Sequence, residues 1–198
     1  MPGTGLQPAA LQAAGSQKTL AERYAGVRRV SELLCRPLAV EDYGLQAMPD
    51  TSPPKWHLAH TTWFFETFLL QPFHSGYREF HPHYATLFNS YYQAVGPRHP
   101  RPQRGLLSRP TVDEIHAYRR HVDDAMATLL TDAGPAAAAA IAQRTVLGCH
   151  HEQQHQELLL TDIKYNFSAN PLRPTYRQDL PRPPPAARTS RSEEHTSE

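Results

Sequence analysis

The residues best able to do chemistry are crowded into one octapeptide, His150-His151-Glu152-Gln153-Gln154-His155-Gln156-Glu157. On a helix that advances about 100° per residue, His151 and His155 fall about 40° apart and one turn along, so both imidazoles can reach a common point. Two histidines alone rarely hold a metal, and without a third donor the stretch reads as a solvated polar face. The letters also fit HExxH, in which two histidines bind zinc and the intervening glutamate is a protease's general base. That motif pairs its helix with a sheet and usually finds a third ligand downstream. Here no strand pattern precedes it, and the downstream candidates are Asp162 and the tail residues Glu193, Glu194 and His195. The protease reading is therefore set aside.

A better third donor lies upstream. His60 falls among Trp56, Trp63 and Phe64, and an imidazole on a buried aromatic stripe is costly unless it is hydrogen-bonded or bound to a metal. A lone histidine on an apolar face is more often a satisfied core residue, but one that faces a second pair across a bundle becomes a ligand candidate. His57, one turn earlier on a flanking face, is the lesser candidate. Around the pair, Gln154 lies about 60° to one side of His151, near enough to touch a substrate, while Glu157 points about 120° away. Asp162 returns to the ligand face two turns beyond His155, where it suits packing or hydrogen bonding of the bundle. Cys149 reads as a small buried residue rather than a redox thiol. Arg98, Arg101 and Arg104 form a basic loop. An arginine fork can give a carboxylate two hydrogen bonds, with a merely solvated loop as the alternative.

Helices must hold these groups in place. Leu20, Tyr24, Val27, Val30 and Leu34 recur at three and four residues and predict a first helix, closed by Pro37. A second helix is expected from Pro53 to about Leu70, with Ser52 as its N-cap and Pro72 as its stop. It is aromatic-rich and should be buried. Residues 71–110 are broken by prolines and form a long crossover, with a short helix expected near Tyr84 to Val95. Thr111-Val-Asp-Glu114 is a capping box that opens a third helix with Ile115, Tyr118, Val122, Met126 and Leu129 on one face. Gly134 and Pro135 end it, and the alanine run 136–140 leads into a fourth helix reaching about Ile163. No stretch alternates with period two. The fold class is all-α: a four-helix bundle over residues 17–170 with a long crossover between helices 2 and 3, whose site is built from side chains on facing helices.

Composition narrows the partners. Twenty Lys and Arg against nineteen Asp and Glu leave a net charge of +1, so no global field recruits nucleic acid or an anionic membrane. No apolar run approaches the roughly 18 residues that span a bilayer, and the chain reads as cytoplasmic. Cys35 and Cys149 fit neither a disulfide framework nor a thiolate zinc site. Residues 1–16 read as a disordered leader, 171–190 as a Pro-rich linker with six prolines in the fifteen residues from Pro171, and 191–198 as a non-native tail.

Three segments, WHLAHTTWFFETFLL, LFNSYYQAVGPRHPRPQRGLLSRPTV and HHEQQHQELLLTDIKYNF, together resemble the N-terminal, DinB-like domain of EgtB-type ergothioneine-biosynthesis enzymes, over about Lys18 to Arg177. The resemblance implies a non-haem iron sulfoxide synthase that uses O2 to join cysteine or gamma-glutamylcysteine to hercynine. It implies Fe(II) held by His60, His151 and His155, the thiol's carboxylates held by Arg101 and Arg104, and hercynine positioned by Gln154. Glu157 belongs to the family motif, in a structural role. The family's active site also uses a C-terminal, sulfatase-modifying-factor-like domain that supplies a catalytic tyrosine, so a chain without it is expected to fold and to have little synthase activity. Spacing alone does not select iron, because three histidines with an open position serve zinc equally well. A DinB-type metal-dependent thiol transferase and a structural bundle with incidental histidines are the two other readings.

Overall fold

The computed structural model describes residues 18–90 and 96–179. Among them the regular structure is helical, without strands. Helix α1 (Leu20–Cys35) opens on a capping box in which Thr19 Oγ1 accepts from the Glu22 N–H and Glu22 reaches back to the Thr19 N–H. Helix α2 (Pro54–Phe65) begins one residue later than expected. Ser52 does not cap it. Its Oγ accepts from Arg104 and its N–H donates to Asp162. Pro72 does not stop the helix at Leu70 either. A π-turn at Glu66–Leu70 carries the helix on into a last turn, α3 (Gln71–Phe73), and the Phe68 carbonyl, to which Pro72 has no N–H to offer, accepts from Arg144 at 3.1 Å.

The crossover holds a short helix, α4 (Tyr84–Phe88), and a 3-10 turn, Arg101–Leu106. Residues 91–95 of the helix expected there lie outside the described residues, as do the leader, the tail and the linker from residue 180 onward. Pro171 to Asp179 run back along the bundle, where Tyr176 donates to the Leu34 carbonyl at 2.6 Å. Helix α5 (Val112–Asp132) starts on the expected Thr111 capping box, and α6 (Pro135–Ser168) runs to Ser168, beyond Ile163. Among the described residues no helix is long and apolar enough to cross a membrane.

The bundle consists of α1, α2, α5 and α6, with α1 packed along α6 and α2 packed against both α5 and α6. Every residue of α2 is buried. Close approach of α2 to α6 depends on Gly148, where a Cβ would come within 2.5 Å of the Phe65 ring. The crossover is pinned at both ends. Glu66 accepts from Tyr77 Oη at 2.6 Å, the Phe80 N–H at 3.1 Å and Tyr118 Oη at 2.5 Å. Gln46 donates to the carbonyls of Thr51 and Arg101 and accepts from the Gly105 N–H.

The inward face of α1 differs from the apolar periodicity. Tyr24, Val27, Arg28, Ser31 and Cys35 are buried, whereas Val30 is 42% exposed. Polar residues take the inward positions because a charged cluster lies at the centre of the bundle. Glu152 of α6, fully buried, accepts from Arg28 at 3.0 Å, from Arg119 at 3.1 Å and from Ser31 at 2.6 Å. Arg28 also reaches Asp123 at 2.7 Å and Thr62 at 3.0 Å, and Arg119 donates to the carbonyls of Leu58 and Arg28. Burial alone would raise the Glu152 carboxyl, but Arg28, Arg119 and the Ser31 hydroxyl hold it down at about 2. Removing the charge from such a cluster leaves two buried cations short of their counter-ion. Glu152→Gln is therefore expected to destabilise the fold by about 3–5 kcal/mol, measured by urea unfolding. A loss under 1 kcal/mol would show that the cluster does not hold the helices together.

Candidate metal centre

Helices α2 and α6 bring four histidines together. His57 and His60 project from α2, and His151 and His155 from α6. One nitrogen from each of His60, His151 and His155 lies within 4.8 Å of the other two. The expected triad is thus assembled, and the lesser candidate, His57, stands directly behind it with Nδ1 at 2.9 Å from His155 Nδ1.

Each imidazole is oriented differently. His60 is 1% exposed and lies between two indoles, with Trp56 at 4.5 Å and 11° and Trp63 at 5.5 Å and 17°. Its Nδ1 donates to the Phe88 carbonyl at 2.5 Å, which leaves Nε2 as a lone pair, 3.2 Å from His151 Nε2. His151 Nε2 is therefore the donor to that lone pair, and for His151 to act as a neutral ligand through Nε2 its hydrogen must move to Nδ1. His151 packs against Phe64 with ring centroids 4.8 Å apart, and its buried Nδ1 has no hydrogen-bond partner among the described residues. Asp162 Oδ2 lies 3.0 Å from His57 Nε2, on the far side of His57 from His155.

Electrostatics suit metal binding. Burial first, then the neighbouring imidazoles, push His60 and His155 well below the ordinary histidine range, and burial brings His151 down to about 4. Burial also lowers His57 in spite of Asp162. All four are neutral at pH 7, the state in which an imidazole can be a ligand. Three converging neutral nitrogens fit a divalent borderline metal of the iron or zinc type. Glu152 does not take part. Its carboxylate points into the bundle centre, toward Arg28 and Arg119, so the protease reading of HEQQH has no general base.

A cavity of about 540 Å³ opens over the triad, and the expected substrate-binding residues Arg101, Arg104 and Gln154 all line it. Arg104 is buried, lies 3.3 Å over the Trp56 ring and donates to Ser52 Oγ at 2.8 Å. Arg101 donates to the Asp50 carbonyl, and Gln154 is exposed at the lip. Arg98 lies one compartment away, in an adjoining cavity of about 470 Å³ that Arg101 and Arg104 also line. Its guanidinium donates to the Ser90 carbonyl at 2.8 Å. Glu157 is exposed and outside the cavity, and no side-chain contact explains it. Both thiols are buried and unreactive in character, with burial pushing Cys149 up to about 11 and Cys35 up to about 12.

Sequence reasoning missed the roles of Arg28, Arg119 and the Phe88 carbonyl. Charged residues on an amphipathic helix carry no mark of burial, and a backbone oxygen carries no residue signature. The pairing of His57 with Asp162 was within reach, since both had been placed near the ligand face.

The chain matches the DinB superfamily over residues 23–159 and belongs to that family. A search of curated proteins finds no match. The family and the helical bundle agree with a metal-binding reading of the triad, whose three histidines come from the second and last bundle helices.

Because burial depresses the folded-state pKa values of these histidines, the unfolded chain takes up more protons as pH falls below 6.5. Their contribution to stability is complete above that value and is lost progressively toward pH 4, the range of His151. The Tm of the metal-free protein is expected to be level above about pH 7 and to fall steadily below about 6.5, less steeply in His151→Phe. A Tm independent of pH across that window contradicts the neutral, buried state.

Proposed function

We propose that the chain is the iron-binding, DinB-like domain of a sulfoxide synthase of the EgtB type, which couples cysteine or gamma-glutamylcysteine to hercynine with O2 in the cytoplasm. The observation that carries the reading is the placement of Arg101, Arg104 and Gln154 on the walls of the same cavity as the three histidines. When bound, Fe(II) would supply open coordination positions for the thiolate and for O2. The protein's own residues would do the rest. His60, His151 and His155 hold the metal as neutral donors. Arg104, held rigid by Trp56 and Ser52, and Arg101 receive the carboxylates of the thiol substrate, and Gln154 orients the imidazole substrate at the lip. The buried aromatic wall of Trp56 and Trp63 keeps water from the side of His60 facing the core. The reading assigns the catalytic tyrosine to a separate C-terminal domain.

The same three donors would serve zinc equally well in a DinB-type thiol transferase. The two readings divide on metal choice and on O2. Titrated anaerobically with Fe(II), the purified chain is expected to bind one equivalent, and His60→Ala to bind none. Chelator is expected to lower the Tm of the loaded protein, since a ligand at 100 times its Kd stabilises by about 2.7 kcal/mol. No uptake leaves a structural bundle, and uptake unchanged in His60→Ala shows that the assigned site is wrong. Zn(II) bound in preference to Fe(II), with thiol transfer that needs no O2, establishes the transferase.

A further inference from the structure

Two residues outside the triad determine which nitrogen of His155 can bind a metal. Asp162 Oδ2 accepts from the Ser52 backbone N–H at 2.8 Å, a group that can only donate, and the same oxygen lies 3.0 Å from His57 Nε2. An oxygen already accepting meets His57 best if Nε2 carries the hydrogen. In a neutral imidazole the other nitrogen is then a lone pair. That nitrogen, His57 Nδ1, sits 2.9 Å from His155 Nδ1. Two lone pairs at this distance would repel, so His155 Nδ1 carries the hydrogen and donates it. His155 Nε2 is left as a lone pair.

We infer that Asp162 and His57 are positioning residues, a two-step relay that locks His155 in the Nδ1–H tautomer and presents its Nε2 to the centre formed with His60 and His151. The inference deepens the metal-binding reading and rests on it for its consequence, though the tautomer itself does not. His60 is set in the same tautomer by a single step, the Phe88 carbonyl. Among the described residues no carbonyl takes that place for His155, and Asp162 meets it through His57. The arrangement is geometrically economical: Asp162 is seven residues after His155, on the same face of α6, and His57 is three residues before His60 on α2. Each helix therefore provides both a ligand and a member of the relay. Partners beyond a metal's own ligands commonly govern its affinity by orienting those ligands.

The relay is tested in two independent ways. In the metal-free wild-type protein, long-range 15N–1H correlation of the histidine rings is expected to show His155 protonated at Nδ1 and bare at Nε2. His155 protonated at Nε2 overturns the inference whatever the metal does. In anaerobic Fe(II) titrations, with Co(II) as a spectroscopic check, His57→Ala and Asp162→Ala are expected to weaken binding about tenfold to a hundredfold without losing the helical spectrum. His57→Gln, whose amide can accept from His155 and donate to Asp162, is expected to recover most of the affinity. Wild-type binding with His57→Ala and Asp162→Ala within twofold of it overturns the relay and leaves the metal reading intact, as does failure of His57→Gln to recover anything. A wild-type protein that takes up no metal removes the metal reading, and the ring tautomer then decides the relay on its own.

Discussion

The contact between Glu152 and its two arginines sets the rotation of α6, and the rest of the site depends on that rotation. Glu152 follows His151 directly, so its side chain leaves the helix about 100° around from that histidine. Anchoring the carboxylate to Arg28 of α1 and Arg119 of α5 therefore aims His151 and His155 at α2. The same cluster reaches Thr62 and the Leu58 carbonyl of α2, so all four bundle helices meet in it. Hydrophobic burial brings helices together without strongly selecting their phase. A buried carboxylate held by three donors in a low-dielectric interior penalises every rotation that breaks those bonds.

The two polar centres of the bundle are built on opposite principles. At Glu152 opposite charges are buried together, and the carboxylate stays ionised because its partners are permanent cations. Among the histidines no counter-charge lies within the triad, and burial keeps every ring neutral. A carboxylate shared among those rings would have favoured their protonated forms. Sending Glu152 to the other face, and leaving only Asp162 behind His57, separates the group that stabilises the bundle from the groups able to take a ligand.

Much of this was legible in the amino-acid sequence, where residue type and period coincide. The Thr111 capping box, the buried face of α5 and the pairing of His151 with His155 all follow from spacing on a 3.6-residue helix, while His60 stands out as an imidazole among aromatic residues. On α1 Tyr24 and Val27 lie inward as their spacing predicts, but periodicity tracks apolar residues, so it missed Arg28 and Ser31 and wrongly turned Val30 inward. Ser52 and Pro72 carry the signals of a cap and a stop, yet tertiary bonding drew Ser52 to Arg104 and Asp162, and the π-turn at Glu66–Leu70 absorbed the proline. The tautomers of the histidines depend on distances between helices, which no local pattern encodes.

The chain has two tryptophans, and both lie against His60, one on each face of its ring. The first of them is covered on its other side by the Arg104 guanidinium. Indole, imidazole and guanidinium thus form one continuous stack from the basic loop to the innermost histidine. All of the molecule's indole emission consequently originates within a ring's width of one candidate ligand. The fold carries an intrinsic optical reporter in which occupancy of the histidine cluster and of the arginine wall register on the same two chromophores.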